Sequence, residues 1–159
     1  MNKIVILMGS KSDLGYCQKI ADFVKSFGVE TVLRIASAHK NPLKVVSIVK
    51  EEEKYNTVFI TVAGRSNALS GFVDFQTSKP VITSPPVSDT FGGADIYSSL
   101  RMPSGVSTMV VLEPENAGLA ALKILAMTDE NLRNKIEEYQ NKIKEELEKV
   151  DKELQNGKC

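Results

Sequence analysis

Five short apolar runs, residues 4–8, 30–35, 57–62, 80–83 and 108–112, are separated by stretches whose apolar positions recur at spacings of three and four. The second pattern predicts helices over 13–27, 42–55 and 116–127, a short one over 96–100, and a small-residue segment after residue 62. Strand alternating with helix predicts a parallel sheet with right-handed crossovers. The runs read as unbroken apolar strands, the pattern of strands covered on both faces.

The predicted fold is therefore α/β, a three-layer αβα sandwich on a five-stranded parallel sheet of flavodoxin-like order 2-1-3-4-5. Such sheets bind ligands beyond the carboxyl ends of their strands, where the strand order reverses. Polar and small residues collect at those ends: Gly9-Ser10-Lys11-Ser12-Asp13 after strand one, Ser37-Ala38-His39-Lys40 after strand two, and Gly64-Arg65-Ser66-Asn67 after strand three. Ser84-Pro85-Pro86 follows strand four, and Arg101-Met102-Pro103-Ser104-Gly105 precedes strand five. Their concentration on one rim argues for a polar ligand.

From Thr128 the pattern changes to a long charged helix ending at Leu154, along which Leu132, Ile136, Tyr139, Ile143, Leu147, Val150 and Leu154 form one apolar stripe. Residues 1–127 are expected to form the α/β unit and 128–159 a C-terminal amphipathic helical arm of the same domain. That helix exceeds the sheet in length, which favours an arm laid across a neighbouring subunit over one packed wholly on its own domain. Residues 155–159 are expected to fray.

At 159 residues and 42% hydrophobic, the chain suits one core. Twenty basic and twenty acidic residues cancel, leaving no basic field for nucleic acid. No apolar run reaches membrane-span length and the first is too short for a signal peptide, so the expectation is a cytoplasmic protein without membrane contact. Cys17 and Cys159 have neither metal-site nor disulfide spacing and are expected to be reduced and incidental.

His39 is the one histidine and the one side chain with an ordinary pKa near neutrality, which makes it the natural proton carrier at this rim. A surface or capping histidine is the plainer alternative. The Gly9–Asp13 loop, leading into a helix amino terminus, suits an anion such as phosphate, although Ser12 or Asp13 would serve equally as a helix cap. It matches neither the Walker nor the dinucleotide pattern. Asp13, if not a cap, suits a ribose hydroxyl. Lys40 can neutralise a phosphate or sit in a solvated turn, and Pro42 opens the next helix. Arg65, Ser66 and Asn67, between Gly64 and Gly71, offer a guanidinium and an amide where a small carboxylate or carbon dioxide would fit. Arg101 belongs either to the site or to a subunit contact.

Taken together, Gly9-Ser10-Lys11-Ser12-Asp13, Ser37-Ala38-His39-Lys40, Ala63-Gly64-Arg65-Ser66-Asn67, Arg101-Met102-Pro103-Ser104-Gly105 and Asn116-Ala117-Gly118-Leu119-Ala120-Ala121 resemble the aminoimidazole ribonucleotide carboxylase family of purine biosynthesis, the PurE family, over residues 3–127. In the common bacterial branch, the mutase of N5-carboxyaminoimidazole ribonucleotide, the strand-three loop reads Ala-Gly-Gly-Ala-Ala-His and the strand-two loop Ser-Ala-His-Arg. Here Ala68 stands at the second histidine and Lys40 at the arginine. Together with Pro85-Pro86 and the run Asp95-Ile96-Tyr97-Ser98-Ser99-Leu100-Arg101, this resembles the other branch, class II, the phosphoribosylaminoimidazole carboxylases.

That resemblance implies direct, reversible carboxylation of 5-aminoimidazole ribonucleotide (AIR) by CO2 to 4-carboxy-5-aminoimidazole ribonucleotide (CAIR), with no ATP, biotin or metal and no cofactor. It implies that Ser10, Ser12 and Lys40 hold the 5′-phosphate, Asp13 the ribose, and Arg65, Ser66 and Asn67 the carbon dioxide, with Ser37 and Gly64 completing the substrate-binding set and His39 as catalytic base at C4. It also implies a homo-oligomer, octamer or tetramer, with sites completed by neighbouring subunits. The alternatives are the mutase reaction and, more remotely, a phosphate-binding flavodoxin-like module. Thr61-Val62-Ala63 lacks the phosphorylatable aspartate that a receiver would need, and the strand ends lack the aromatic residues of a flavin site.

Overall fold

The structure is a computed structural model that describes residues 1–157; the expectation for Cys159 lies outside the described residues. Five strands, β1 (Asn2–Met8), β2 (Glu30–Ile35), β3 (Asn56–Val62), β4 (Val81–Thr83) and β5 (Met109–Val110), form one sheet in the order β2-β1-β3-β4-β5. Every pairing is parallel, with Ile6 opposite Leu33 on one side and Ile60 on the other. After β2 the chain crosses β1 to start β3, so the strand order reverses between β1 and β3, as the sequence pattern predicts.

Alternation along β1 divides the interior into two cores, because successive side chains of a strand point to opposite faces. Ile4, Ile6 and Met8, with Val58, Ile60 and Val62 of β3, face α1 (Leu14–Ser26) and α5 (Pro114–Leu125). Val5 and Leu7, with Phe59 and Val81, face α2 (Pro42–Glu52) and α3 (Ala68–Asp74). On α1 the buried positions Cys17, Ile20, Ala21 and Val24 recur every three or four residues, the stripe a helix needs to cover a sheet. Gly118 lets α5 approach α1 closely: a β-carbon there would fall 3.1 Å from both Phe23 and Val24. Burial pushes the Cys17 thiol up to about 12, so it is neither a ready nucleophile nor a ready metal ligand.

Three expectations need correction. β2 is not an apolar strand buried on both faces; it is the sheet edge, with every residue at least partly exposed, and Arg34 reaches Glu51 and Glu52 at 3.1 and 3.2 Å. The small-residue segment after β3 contains the seven-residue helix α3, too short for a repeating apolar period to show. The second predicted helix ends at Glu52 rather than Tyr55, whose ring instead lies 4.1 Å beneath the Lys3 ammonium.

The four-residue α4 (Tyr97–Leu100) follows two short 3₁₀ turns at Asp89–Phe91 and Ala94–Ile96. The long helix α6 (Glu130–Gln155) starts with Asp129 accepting the Leu132 N–H at 3.0 Å. Its Leu132 and Ile136 are buried, and Tyr139 meets Phe23 and Phe27 edge-on with ring centres 5.6 Å apart. Beyond Gln140 the stripe has no cover among the described residues: Ile143, Leu147, Val150 and Leu154 are 42–66% exposed. Among the described residues no helix is long and apolar enough to cross a membrane.

Candidate active site

A cleft of ≈ 520 Å³ opens at the carboxyl ends of β1, β2 and β3, where the strand order reverses. Its walls bring together Ser10, Ser12, Asp13, Ser37, His39, Lys40, Gly64, Arg65 and Ser66, every expected site residue except Asn67, with Gly9, Ala38, Ala63 and Leu69 between them. Those four lie in the rim segments the sequence singles out, but apolar and small liners carry no chemical signature that would assign them a role of their own.

Chain direction explains the convergence. Parallel strands deliver all their following loops to the same rim, and two backbone bonds tie these loops together: Gly9 N–H donates to Val62 O at 2.9 Å and Ala36 N–H to Met8 O at 3.0 Å. The first loop enters α1 through a 3₁₀ turn at Lys11–Asp13. Ser10 caps that turn by accepting the Ser12 N–H at 3.3 Å, while the Ser12 hydroxyl lies 2.9 Å from Ser10 Oγ and 3.4 Å from Asp13 Oδ1. Asp13 precedes α1 without capping it. The cap alternative therefore does not hold for Asp13: Ser10 caps the turn ahead of α1, and Asp13 lines the cleft. Partial burial raises the Asp13 pKa, opposed by hydrogen bonds from the Ser10 backbone and the Ser12 side chain.

The second loop closes on itself. Ser37 N–H donates to Asn41 Oδ1 at 2.7 Å, Asn41 N–H to Ser37 O at 2.9 Å and Lys40 N–H to Ser37 Oγ at 3.3 Å. Asn41 therefore rigidifies the turn, Pro42 starts α2, and His39 and Lys40 ride exposed at the apex. Both side chains are open to an incoming ligand.

In the third loop Arg65 has φ +59°, the one non-glycine residue with positive φ among those described. A side chain in that left-handed region costs roughly 1–2 kcal/mol. The strain is braced from outside the loop: Arg65 N–H donates to Asp95 Oδ2 at 3.1 Å, and the Ser98 hydroxyl lies 3.1 Å from Arg65 O. Gly64 permits the approach, since a β-carbon there would lie 3.2 Å from Pro86 O and 3.9 Å from Asp95 Oδ2.

Asn67 is placed differently from the expectation. It is 4% exposed and absent from the cleft wall. Its Oδ1 accepts from Ser70 N–H at 3.2 Å and Ser70 Oγ at 2.9 Å, its Nδ2 donates to Ser99 Oγ at 2.9 Å, and its backbone N–H donates to Ser98 Oγ at 3.0 Å. An asparagine immediately before a helix is a cap by preference, and both side-chain polar atoms of this one already have partners within the fold. Arg101 is likewise outside the cleft wall, exposed, with Nε donating to Tyr97 O at 3.4 Å.

The site therefore offers a carboxylate, two cationic side chains, an imidazole and several hydroxyls around a cleft of small-molecule size. That set suits a phosphorylated, partly anionic ligand on which a proton must move.

A family model described as AIR carboxylase matches residues 3–146 of the chain. The phosphoribosylaminoimidazole carboxylase of Archaeoglobus fulgidus is 65% identical over 138 residues, 87% of this chain and 77% of that protein. That of Treponema denticola is 52% identical over 138 residues, 86% of this chain and 87% of that protein. The crystal structure of Treponema denticola PurE superposes with a TM-score of 0.94 at 47% identity, covering 97% of this chain and 99% of that one.

Proposed function

The chain belongs to the AIR carboxylase family, and on that premise we propose that it carboxylates AIR directly with CO2, giving CAIR in purine biosynthesis, reversibly and without ATP. AIR carboxylation in purine biosynthesis is the chemistry its family and relatives carry. The branch is our reading. The observation that carries it is the third loop: it brings Arg65 and Ser66 to the cleft, and the chain's one histidine stands on the loop opposite.

AIR is an enamine and attacks CO2 through C4 with no covalent enzyme intermediate, so the protein's task is to position both reactants and move one proton. In this reading Ser10, Ser12 and Lys40 receive the 5′-phosphate, using hydroxyls and a cation at the entrance to α1. Asp13 accepts from the ribose hydroxyls, with Ser37 and Gly64 shaping the floor. Arg65 and Ser66 hold the carbon dioxide oxygens and, after bond formation, the new carboxylate. Holding a weakly binding gas at attack distance supplies much of the rate enhancement. Asn67 enters the reading as the support of that loop rather than as a ligand.

Once the C4–C bond forms, C4 carries both hydrogen and carboxylate. His39 takes that proton, restoring the aromatic imidazole; in reverse it protonates C4 and CO2 leaves. The residue must carry both charge states, and its exposed position on a rigid turn suits that exchange. The proposal includes a cytoplasmic homo-oligomer in which the uncovered half of α6 lies against another subunit.

The test is a forward assay with AIR and no ATP, started with either dissolved CO2 or bicarbonate before the two equilibrate. We expect an immediate rate with CO2, proportional to enzyme concentration, and a lag with bicarbonate. A rate that ignores enzyme concentration and waits on uncatalysed carbamate formation would instead mark a mutase.

A further inference from the structure

We propose that Asp95 is a positioning residue: it holds Arg65 in its left-handed conformation and thereby keeps the guanidinium where the carboxylate of CAIR is bound. The inference deepens the cleft reading above and rests on its assignment of Arg65. Backbone strain in a ligand-binding loop persists only where the surroundings over-determine it, and here those surroundings can be named. Both backbone polar groups of Arg65 are engaged by one distant segment, the N–H by Asp95 Oδ2 at 3.1 Å and the carbonyl by Ser98 Oγ at 3.1 Å. The one Ser98 proton is shared between Arg65 O and the nearer Asp95 O at 2.8 Å, so Asp95 Oδ2 is the undivided half of the brace.

A second observation separates positioning from mere stability. Asp95 Oδ1 is buried with no hydrogen-bond partner among the described residues. A carboxylate oxygen deprived of both water and donors costs stability, and a neutral side chain would avoid that cost. Asp95 sits in a narrow apolar crevice with Gly64, Pro85, Pro86, Val87 and Ile96, where the carboxylate's one visible return is the bond to Arg65 N–H. Without that acceptor the Arg65 backbone is free to leave positive φ, which would swing its side chain away from the cleft wall.

The experiment compares Asp95→Ala and Asp95→Asn, each alone and with Arg65→Gly, measuring KM for CAIR consumption and Kd for AIR in CO2-free buffer. CAIR is consumed by both the carboxylase and the mutase reactions, so the readout does not depend on which branch holds; product identity tests the branch separately. Losing a hydrogen bond to a charged acceptor predicts that Asp95→Ala raises the CAIR KM by about tenfold or more. The AIR Kd should move less than about twofold, because the phosphate-binding residues are on other loops. Asp95→Asn, whose carbonyl still accepts from Arg65 N–H, should restore most of the difference. Glycine adopts positive φ unaided and brings no guanidinium, so Asp95→Ala should add nearly nothing in the Arg65→Gly background. An unchanged CAIR KM in Asp95→Ala, an equal loss for AIR and CAIR, or a full Asp95→Ala effect in the Arg65→Gly background would overturn the proposal.

Discussion

Replacing Asn67 with alanine separates a supporting residue from a ligand. The substitution removes an acceptor from Ser70 N–H at 3.2 Å and from Ser70 Oγ at 2.9 Å, and a donor to Ser99 Oγ at 2.9 Å, at a side chain only 4% exposed. Losing the cap on α3 costs about 1 kcal/mol. Leaving buried partners with a missing bond costs about 1–3 kcal/mol more, moderated because the Ser70 hydroxyl keeps Thr61 Oγ1 at 2.8 Å. The expected destabilisation is about 2–4 kcal/mol, or a fall of roughly 5–15 °C in Tm for a chain of this size. Urea unfolding at fixed protein concentration measures it, with AIR affinity measured on the folded variant. Stability within about 0.5 kcal/mol of the parent, combined with a large loss of AIR or CAIR affinity, would refute this account and return Asn67 to the ligand set.

His39→Asn should fold and bind AIR with near-parent affinity yet lose turnover by at least about a hundredfold, the usual contribution of a positioned acid/base; retained turnover on steady-state assay sinks the assignment. Asp13→Asn should weaken AIR binding without weakening the fold. Because the Asp13 pKa is raised in the folded state, that state holds the proton more tightly than the unfolded chain; parent stability therefore falls as pH rises from below 3.8 through the raised value and then levels. The variant should lack that slope and be no less stable at neutral pH, and urea midpoints across the pH series check it. Leu147→Glu with Val150→Glu, both on the uncovered stripe of α6, should reduce the oligomeric state in sedimentation while leaving far-UV helicity intact; an unchanged assembly would remove the arm from the interface.

The residues show why some of this was legible and some was not. Strand order and the binding rim follow from short unbroken apolar runs alternating with period-3.6 segments, and those patterns are strong in β1, β3, α1 and α6. The edge position of β2 is written in Arg34, a charge well inside the strand, where β1 and β3 carry none beyond their first two residues. α3 was hidden because seven residues, three of them small, give no period, although Asn67 three positions before Ser70 is a cap signal. The placement of the same asparagine was not legible for a related reason: a side chain that hydrogen-bonds a ligand and one that caps a helix use the same atoms, and only burial distinguishes them. Asp95 was visible in sequence but not its role, since nothing local links it to a backbone N–H 30 residues earlier.

Direct carboxylation is tested most closely by giving the enzyme CAIR labelled with carbon-13 in its carboxyl group and following the label by NMR from the first turnovers. The account predicts that the label passes straight to carbon dioxide and bicarbonate while AIR accumulates in equal amount. Early appearance of the label as a carbamate carbon on N5, preceding any carbon dioxide, would contradict it and make the chain a mutase.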